Sequence, residues 1–171
     1  MRFSVLIFFA VLSFQGWAQL PEKWLGHYEG ELTSLNLAGN ESSYGMELII
    51  SARNDSSYNF TIIYGIEDTK QERAYLLIPD GKNHFLLDEL NGIVIDMSLG
   101  NDRLVSVFEV KNSFLHVSYI LTNNGLRFEL TSSNPGVLSG GIETESEEKI
   151  PEVQSYKTVA FQFAILKRKK K

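Results

Sequence analysis

The chain has 171 residues, 43% of them hydrophobic and 22% charged, with a net charge of −5 and no cysteine. The missing thiols exclude disulfides, thiolate metal sites, a cysteine nucleophile and a lipid-bearing cysteine, and the acidic balance disfavours contact with a nucleic-acid backbone. Charge is unevenly spread, because the stretch KRKKK at 167–171 holds five of the 16 basic residues.

From the N-terminus, MRFSVLIFFAVLSFQGWAQ carries a cation at Arg2, an apolar run from Phe3 to Phe14 and small residues at Gly16 and Ala18. This pattern predicts a signal peptide over 1–18, cut after Ala18, and hence export to a periplasmic or secreted location. An uncut anchor is the alternative reading, but roughly a dozen apolar residues fall short of the ~20 a spanning helix needs. Residues 19–166 then form a single domain, long enough to bury its own core. The tail at 167–171 reads either as a solvated end that guards the last strand against aggregation or as a contact for anionic lipid.

Apolar residues alternate with period two through most of this domain, and no sustained helical period competes with them. Strands are expected at 25–34, 44–53, 58–65, 71–78, 84–88, 93–98, 103–111, 114–122, 126–132 and 156–166. Asp80-Gly81, Asn91-Gly92 and Asn124-Gly125 lie between neighbouring strands and predict two-residue hairpin turns. Neighbours in sequence therefore pair as a meander. One gap breaks the rhythm, the glycine- and glutamate-rich stretch 134–155, read as an acidic loop or a lid over a cavity.

In WLGHYEGEL, Trp24, Gly26, Tyr28, Gly30 and Leu32 share one face of the first strand, and the other face is mostly polar. Inward glycines suit a strand that bends sharply or meets another backbone, as closing a barrel demands. Trp24 would cover one end. The motif W-x-G-x-Y-x-G-x-L ahead of about ten meandering strands resembles the calycin superfamily of lipocalins and fatty-acid-binding proteins. With "LDELNGI", "VFEV", the "SGG" loop and "QFAILK", the mature chain resembles a group of uncharacterised exported bacterial proteins. The fold class implied is all-β, an antiparallel up-and-down barrel of about ten strands, calycin-like. The sequence departs from the lipocalin pattern in having no disulfide and no evident helix before the last strand.

Inward positions read from alternation give an apolar, aromatic lining with a few hydroxyls, suited either to a filled core or to a cavity for an apolar ligand with a polar handle. If Arg73, Tyr75 and Leu77 point inward, Arg73 needs a carboxylate such as Glu109 or an anionic ligand head; otherwise Arg73 faces solvent. On the last strand, either Gln162 lies inward between Ala160 and Ala164, leaving Phe161 and Phe163 outside, or the phenylalanines fill the core. The candidate ligand-binding residues are Tyr28, Tyr64, Arg73, Tyr75, Tyr119 and Gln162.

Asp88 and Glu89 are adjacent and project oppositely, so they lead into a turn and make no carboxylate pair. His27, His84 and His116 are scattered, no serine lies in a nucleophile elbow, and no phosphate loop is present. The sequence thus predicts no catalytic residue, no metal, no cofactor and no enzymatic activity. The expected function is non-enzymatic binding of a small hydrophobic or amphipathic molecule inside the barrel. The alternative is a structural or interaction module of the cell envelope with a filled barrel.

Overall fold

A computed structural model describes residues 19–54, 56–65, 69–141 and 149–170. The expected signal peptide at 1–18, residues 142–148 of the acidic stretch and Lys171 lie outside the described residues. A short 3-10 turn, Glu22–Trp24, precedes β1 (Gly26–Asn36), β2 (Glu41–Asn54), β3 (Ser57–Tyr64), β4 (Gln71–Pro79) and β5 (His84–Asp88). There follow β6 (Val94–Gly100), β7 (Arg103–Val110), β8 (Ser113–Thr122), β9 (Gly125–Ser139) and β10 (Val153–Arg168). Each strand pairs antiparallel with its sequence neighbours, and β10 returns to β1, closing an up-and-down barrel of ten strands.

Alternation sets which side chains enter. Tyr28 and Leu32 of β1 are fully buried, and Gly30 between them pairs with Met46 of β2 on the same inner face. Met46, Leu48 and Ile50, Phe60 and Ile62, Leu77, Phe85, Met97, Leu104, Phe128 and Leu166 complete a packed interior. At the end where β1 starts and β10 finishes, Trp24 is wholly buried and closes the barrel. Its indole N–H is buried without a hydrogen-bond partner among the described residues, a local cost of about 1–3 kcal/mol that the ring's apolar burial has to offset. This is the closed end, and the opposite rim is the open end.

The glycines mark where backbones meet. A Cβ on Gly30 would overlap the carbonyl oxygen of Ile165 on β10, so the seam between first and last strands closes only around a bare backbone. Gly125 does the same for β9, where a Cβ would overlap the carbonyl of Leu166.

Turn chemistry departs from the expected two-residue hairpins. Between β8 and β9 the two turn residues are Asn123 and Asn124, with Thr122 paired to Gly125 as the first strand residue. The 80–83 and 89–93 connections are longer, using positive φ at Gly81 and Asn83 and at Leu90 and Gly92. In the second, Asp88 Oδ1 accepts from Leu90 N–H at 2.8 Å and Asn91 Oδ1 from Ile93 N–H at 2.9 Å. These side chains act as local turn acceptors. The two-residue turn with both φ values positive is Lys111-Asn112.

The stretch 134–155 is only partly loop. β9 runs on to Ser139 and β10 begins at Val153, paired as Val153↔Ser139. That pairing continues past the last register pairs with the barrel wall, Ala160↔Asn36 on one side and Ser133↔Phe114 on the other. A two-stranded ribbon therefore rises from the open end. Tyr156 stacks on Phe114 at its base, with ring centroids 4.9 Å apart. On β10, Ala164 and Leu166 are buried while Phe161, Phe163 and Ile165 stand 42%, 49% and 59% exposed on the outer face. This places Gln162 on the inner face.

Candidate binding site

At the open end a cup of about 410 Å³ is lined by Tyr44, Tyr64, Gly65, Thr69, Gln71, Arg73 and Gln162. Each strand contributes through its inward positions. Tyr64 ends β3, opposite Met46 and Gln71. Arg73 lies across from Ile62, and Gln162 is held between Ser34 and Leu130. The Tyr44 and Tyr64 rings meet edge to face with centroids 6.4 Å apart. Deeper, Tyr119 packs on Phe60 at 5.3 Å and on Phe128 at 5.2 Å, joining the cup to the solid core.

The electrostatics favour donors over acceptors. Burial, with Tyr75 and Tyr44 adding to it and Arg73 opposing, pushes the Tyr64 hydroxyl up to about 12. Burial raises Tyr119 well above the ordinary tyrosine value, with Tyr64 and Tyr75 contributing. Arg73 is held in its charged form first by a side-chain hydrogen bond to Tyr75, then by the fields of Tyr75, Tyr64 and Glu89. The hydroxyls thus stay protonated across the physiological range, beside a permanent cation.

Five of the six residues picked from the sequence come to this region: Tyr64, Arg73 and Gln162 line the cup, and Tyr75 and Tyr119 interact with Tyr64 from below. Arg73 lies on the inward-pointing set of β4 yet is exposed at the rim. Glu109 is not its partner, because it is exposed on β7 with alternation turning it away from the buried Leu104 and Ser106. Glu89, on the β5–β6 connection, is the carboxylate whose field reaches Arg73.

Tyr28 is elsewhere, at the closed end. Its hydroxyl donates to the Trp24 carbonyl at 3.0 Å and accepts from Arg168 at 2.6 Å. Tyr44, opposite the buried Leu32 on the inner face, lines the cup but was not among the residues picked from the sequence. Thr69 sits in the β3–β4 connection, where no periodicity points to it.

Outside the barrel wall, His27, Glu29 and Glu47 converge, with donor atoms within 4.8 Å of one another. The sequence hid this group because Glu47 belongs to β2, opposite Glu29. Its carboxylates are engaged: Glu47 accepts from Lys70 at 2.5 Å and contacts His27 Nε2 at 2.6 Å, and Glu29 accepts from Lys169 at 2.5 Å. The hydrogen bond from Lys70 is the main reason the Glu47 carboxyl sits below the usual range.

No family model matches the sequence, and no curated protein matches it. Among solved structures, the chain is similar to a protein of unknown function from the DUF3598 family of Nostoc punctiforme, with TM-score 0.58 and 10% identity over 86% of this chain. The chain spans about half, 48%, of that protein's length. It is also similar to the S-type phycobiliprotein lyase CPES from Guillardia theta, with TM-score 0.56 and 12% identity, covering 88% of this chain and 90% of that one. At these identities the likeness is one of fold, and the barrel is calycin-like. The likeness to exported bacterial proteins finds no support among these matches. The expectation that the protein is not an enzyme is corrected: the lyase is built on this same barrel, so the architecture gives no ground for excluding catalysis.

Proposed function

We propose that this barrel binds a small amphipathic molecule at its open mouth, with the apolar part against the Tyr44 and Tyr64 rings and an anionic or strongly polar end at Arg73. The convergence of Tyr64, Arg73 and Gln162 around one opening carries this reading. Apolar area withdrawn from water supplies the affinity at ~25 cal/mol per Å², and the guanidinium, amide and hydroxyls orient the ligand. The ligand sits in the cup and not deep in the barrel, because Phe60, Phe128 and the residues below them fill the interior. The likeness to a phycobiliprotein lyase supports small-molecule handling by such a barrel. We further propose export, on the charge and hydropathy pattern of residues 1–18.

A fluorescent long-chain carboxylate is the first probe, titrated alongside the matching alcohol. Saturable binding of the carboxylate, weakened about tenfold or more by Arg73→Gln while the alcohol is unaffected, supports the reading. Failure of both probes to bind overturns it.

A second reading, an interaction module of the cell envelope, is favoured by the solid interior and the exposed outer face at Phe161, Phe163 and Ile165. A stable complex formed through this face, lost in Phe163→Ser while carboxylate binding is retained, distinguishes it.

A further inference from the structure

Charge is distributed along the barrel axis in a way its net value of −5 conceals. The closed end is built from the start of β1, the end of β10 and the turns β2–β3, β4–β5, β6–β7 and β8–β9. Among the described residues this end carries the run Lys167-Arg168-Lys169-Lys170 together with Lys23, Arg53, Lys82 and Arg103, set against Glu22, Asp80 and Asp102. At the open end the described connections and strand ends carry Glu41, Glu72, Asp88, Glu89, Glu109 and Glu152 against Lys70, Arg73, Lys111, Lys149 and Lys157. Among the described residues, positive charge is therefore concentrated at the plugged end, while charge near the mouth is almost balanced.

Little of the basic charge is internally neutralised. Lys23 pairs with Asp102, and Lys169 pairs with Glu29 at 2.5 Å. Arg168 instead spends its donors on neutral acceptors, the Lys23 carbonyl and the Tyr28 hydroxyl, and among the described residues no carboxylate pairs with it. Lys82 stands exposed on the β4–β5 turn and Arg103 at the start of β7, and the Lys23–Asp102 pair ties the segment before β1 to the β6–β7 turn. A groove of about 1240 Å³ crosses the same end, edged by Lys23, Ser51, Asn123, Asn124, Arg168 and Lys170.

We propose that the closed end docks on an anionic lipid surface, so that the cup at the opposite end faces away from the bilayer. The cations ring the end of a cylinder across several turns and do not follow one track, a distribution matched by a plane of negative charge. The open end, where cations and carboxylates nearly balance, has no comparable attraction to that plane, and this difference fixes which way up the barrel sits. The inference stands independently of what the cup binds.

The test is vesicle cosedimentation with the chain from Gln19 onward, whose ten strands close the barrel among themselves. One set of vesicles is pure phosphatidylcholine and the other contains about one third phosphatidylglycerol. Binding to the anionic vesicles, at least about tenfold weaker on the neutral ones and falling steeply with added salt, is expected. The triple variant Lys167→Gln, Lys169→Gln, Lys170→Gln should lose binding by roughly a hundredfold while keeping the wild-type thermal midpoint within a few degrees. Lys111→Gln with Lys157→Gln, at the other end, should bind as wild type. Equal binding to both vesicles, no binding to either, or a triple variant that binds as wild type overturns the proposal. Competition by inorganic phosphate at constant ionic strength also overturns it, since it would show a phosphate pocket in place of a docking face.

Discussion

The guanidinium of Arg168, at the end of the last strand, lies 5.0 Å from the centroid of the Tyr28 ring on the first and donates to its hydroxyl at 2.6 Å. The two are register partners across the closing seam, so one contact joins the beginning of the barrel to its end. Gly26 leaves the room for it, since a Cβ there would press on both the guanidinium carbon at 3.3 Å and the Tyr28 ring at 3.4 Å.

Replacing Arg168 with Lys keeps the charge but removes the planar fork that stacks on the ring and reaches the Lys23 carbonyl and Tyr28 hydroxyl. Arg168→Lys should cost about 1 kcal/mol and Arg168→Ala about 2 kcal/mol in urea unfolding. Equal stability of all three proteins would show that the seam does not depend on this contact.

Gly30→Ala should be far more costly than its size suggests, because the methyl group meets the Ile165 main chain and neither strand can move without parting the seam. A loss of roughly 2–3 kcal/mol is expected. Gly100→Ala serves as the comparison: nothing lies within 4 Å of its added Cβ, and its stability should stay within about 0.5 kcal/mol of the parent.

Two phenylalanines separate inner from outer wall. Phe128 is 1% exposed and Phe163 is 49% exposed. Phe128→Ala should cost about 3–5 kcal/mol, and Phe163→Ala at most about 1 kcal/mol in the isolated protein. Similar costs for both would mean that the outer face of β10 is covered in solution.

Stability should fall in alkali through Tyr64. In the folded protein its hydroxyl ionises near 12, whereas in the unfolded chain it ionises near 10. Below about pH 10 both states hold the proton and the stabilisation is fully present; as pH rises towards 12 the unfolded chain loses its proton first and the stabilisation is lost. Urea midpoints measured at about pH 9 and pH 11 should therefore differ less in Tyr64→Phe than in the parent.

The period-two pattern made all ten strands legible, and the face of Tyr28 and Leu32 followed from it. Closure was legible too, through the glycines of β1. Alternation does not say how far along a strand the barrel stops, so it separated inner from outer without separating end from end. Tyr28 and Tyr64 look equivalent in sequence, yet one is locked beneath the plug and the other opens on the cup. The end of β9 was hidden by Asn134, Pro135 and Gly136, residues whose poor strand propensity is outweighed here by pairing with β10. His27, Glu29 and Glu47 needed the register of β1 and β2 before they could be seen together.

The described chain enters at Gln19 and leaves at Lys170 on the same rim, the one sealed by Trp24. A tether, an affinity tag or a fused domain joined directly at Gln19 or at Lys170 would hold the protein by its base and leave the cup unobstructed. Immobilised in that way, the barrel presents its mouth to whatever flows past, and these two positions are the natural handles for any surface-based measurement of what it captures.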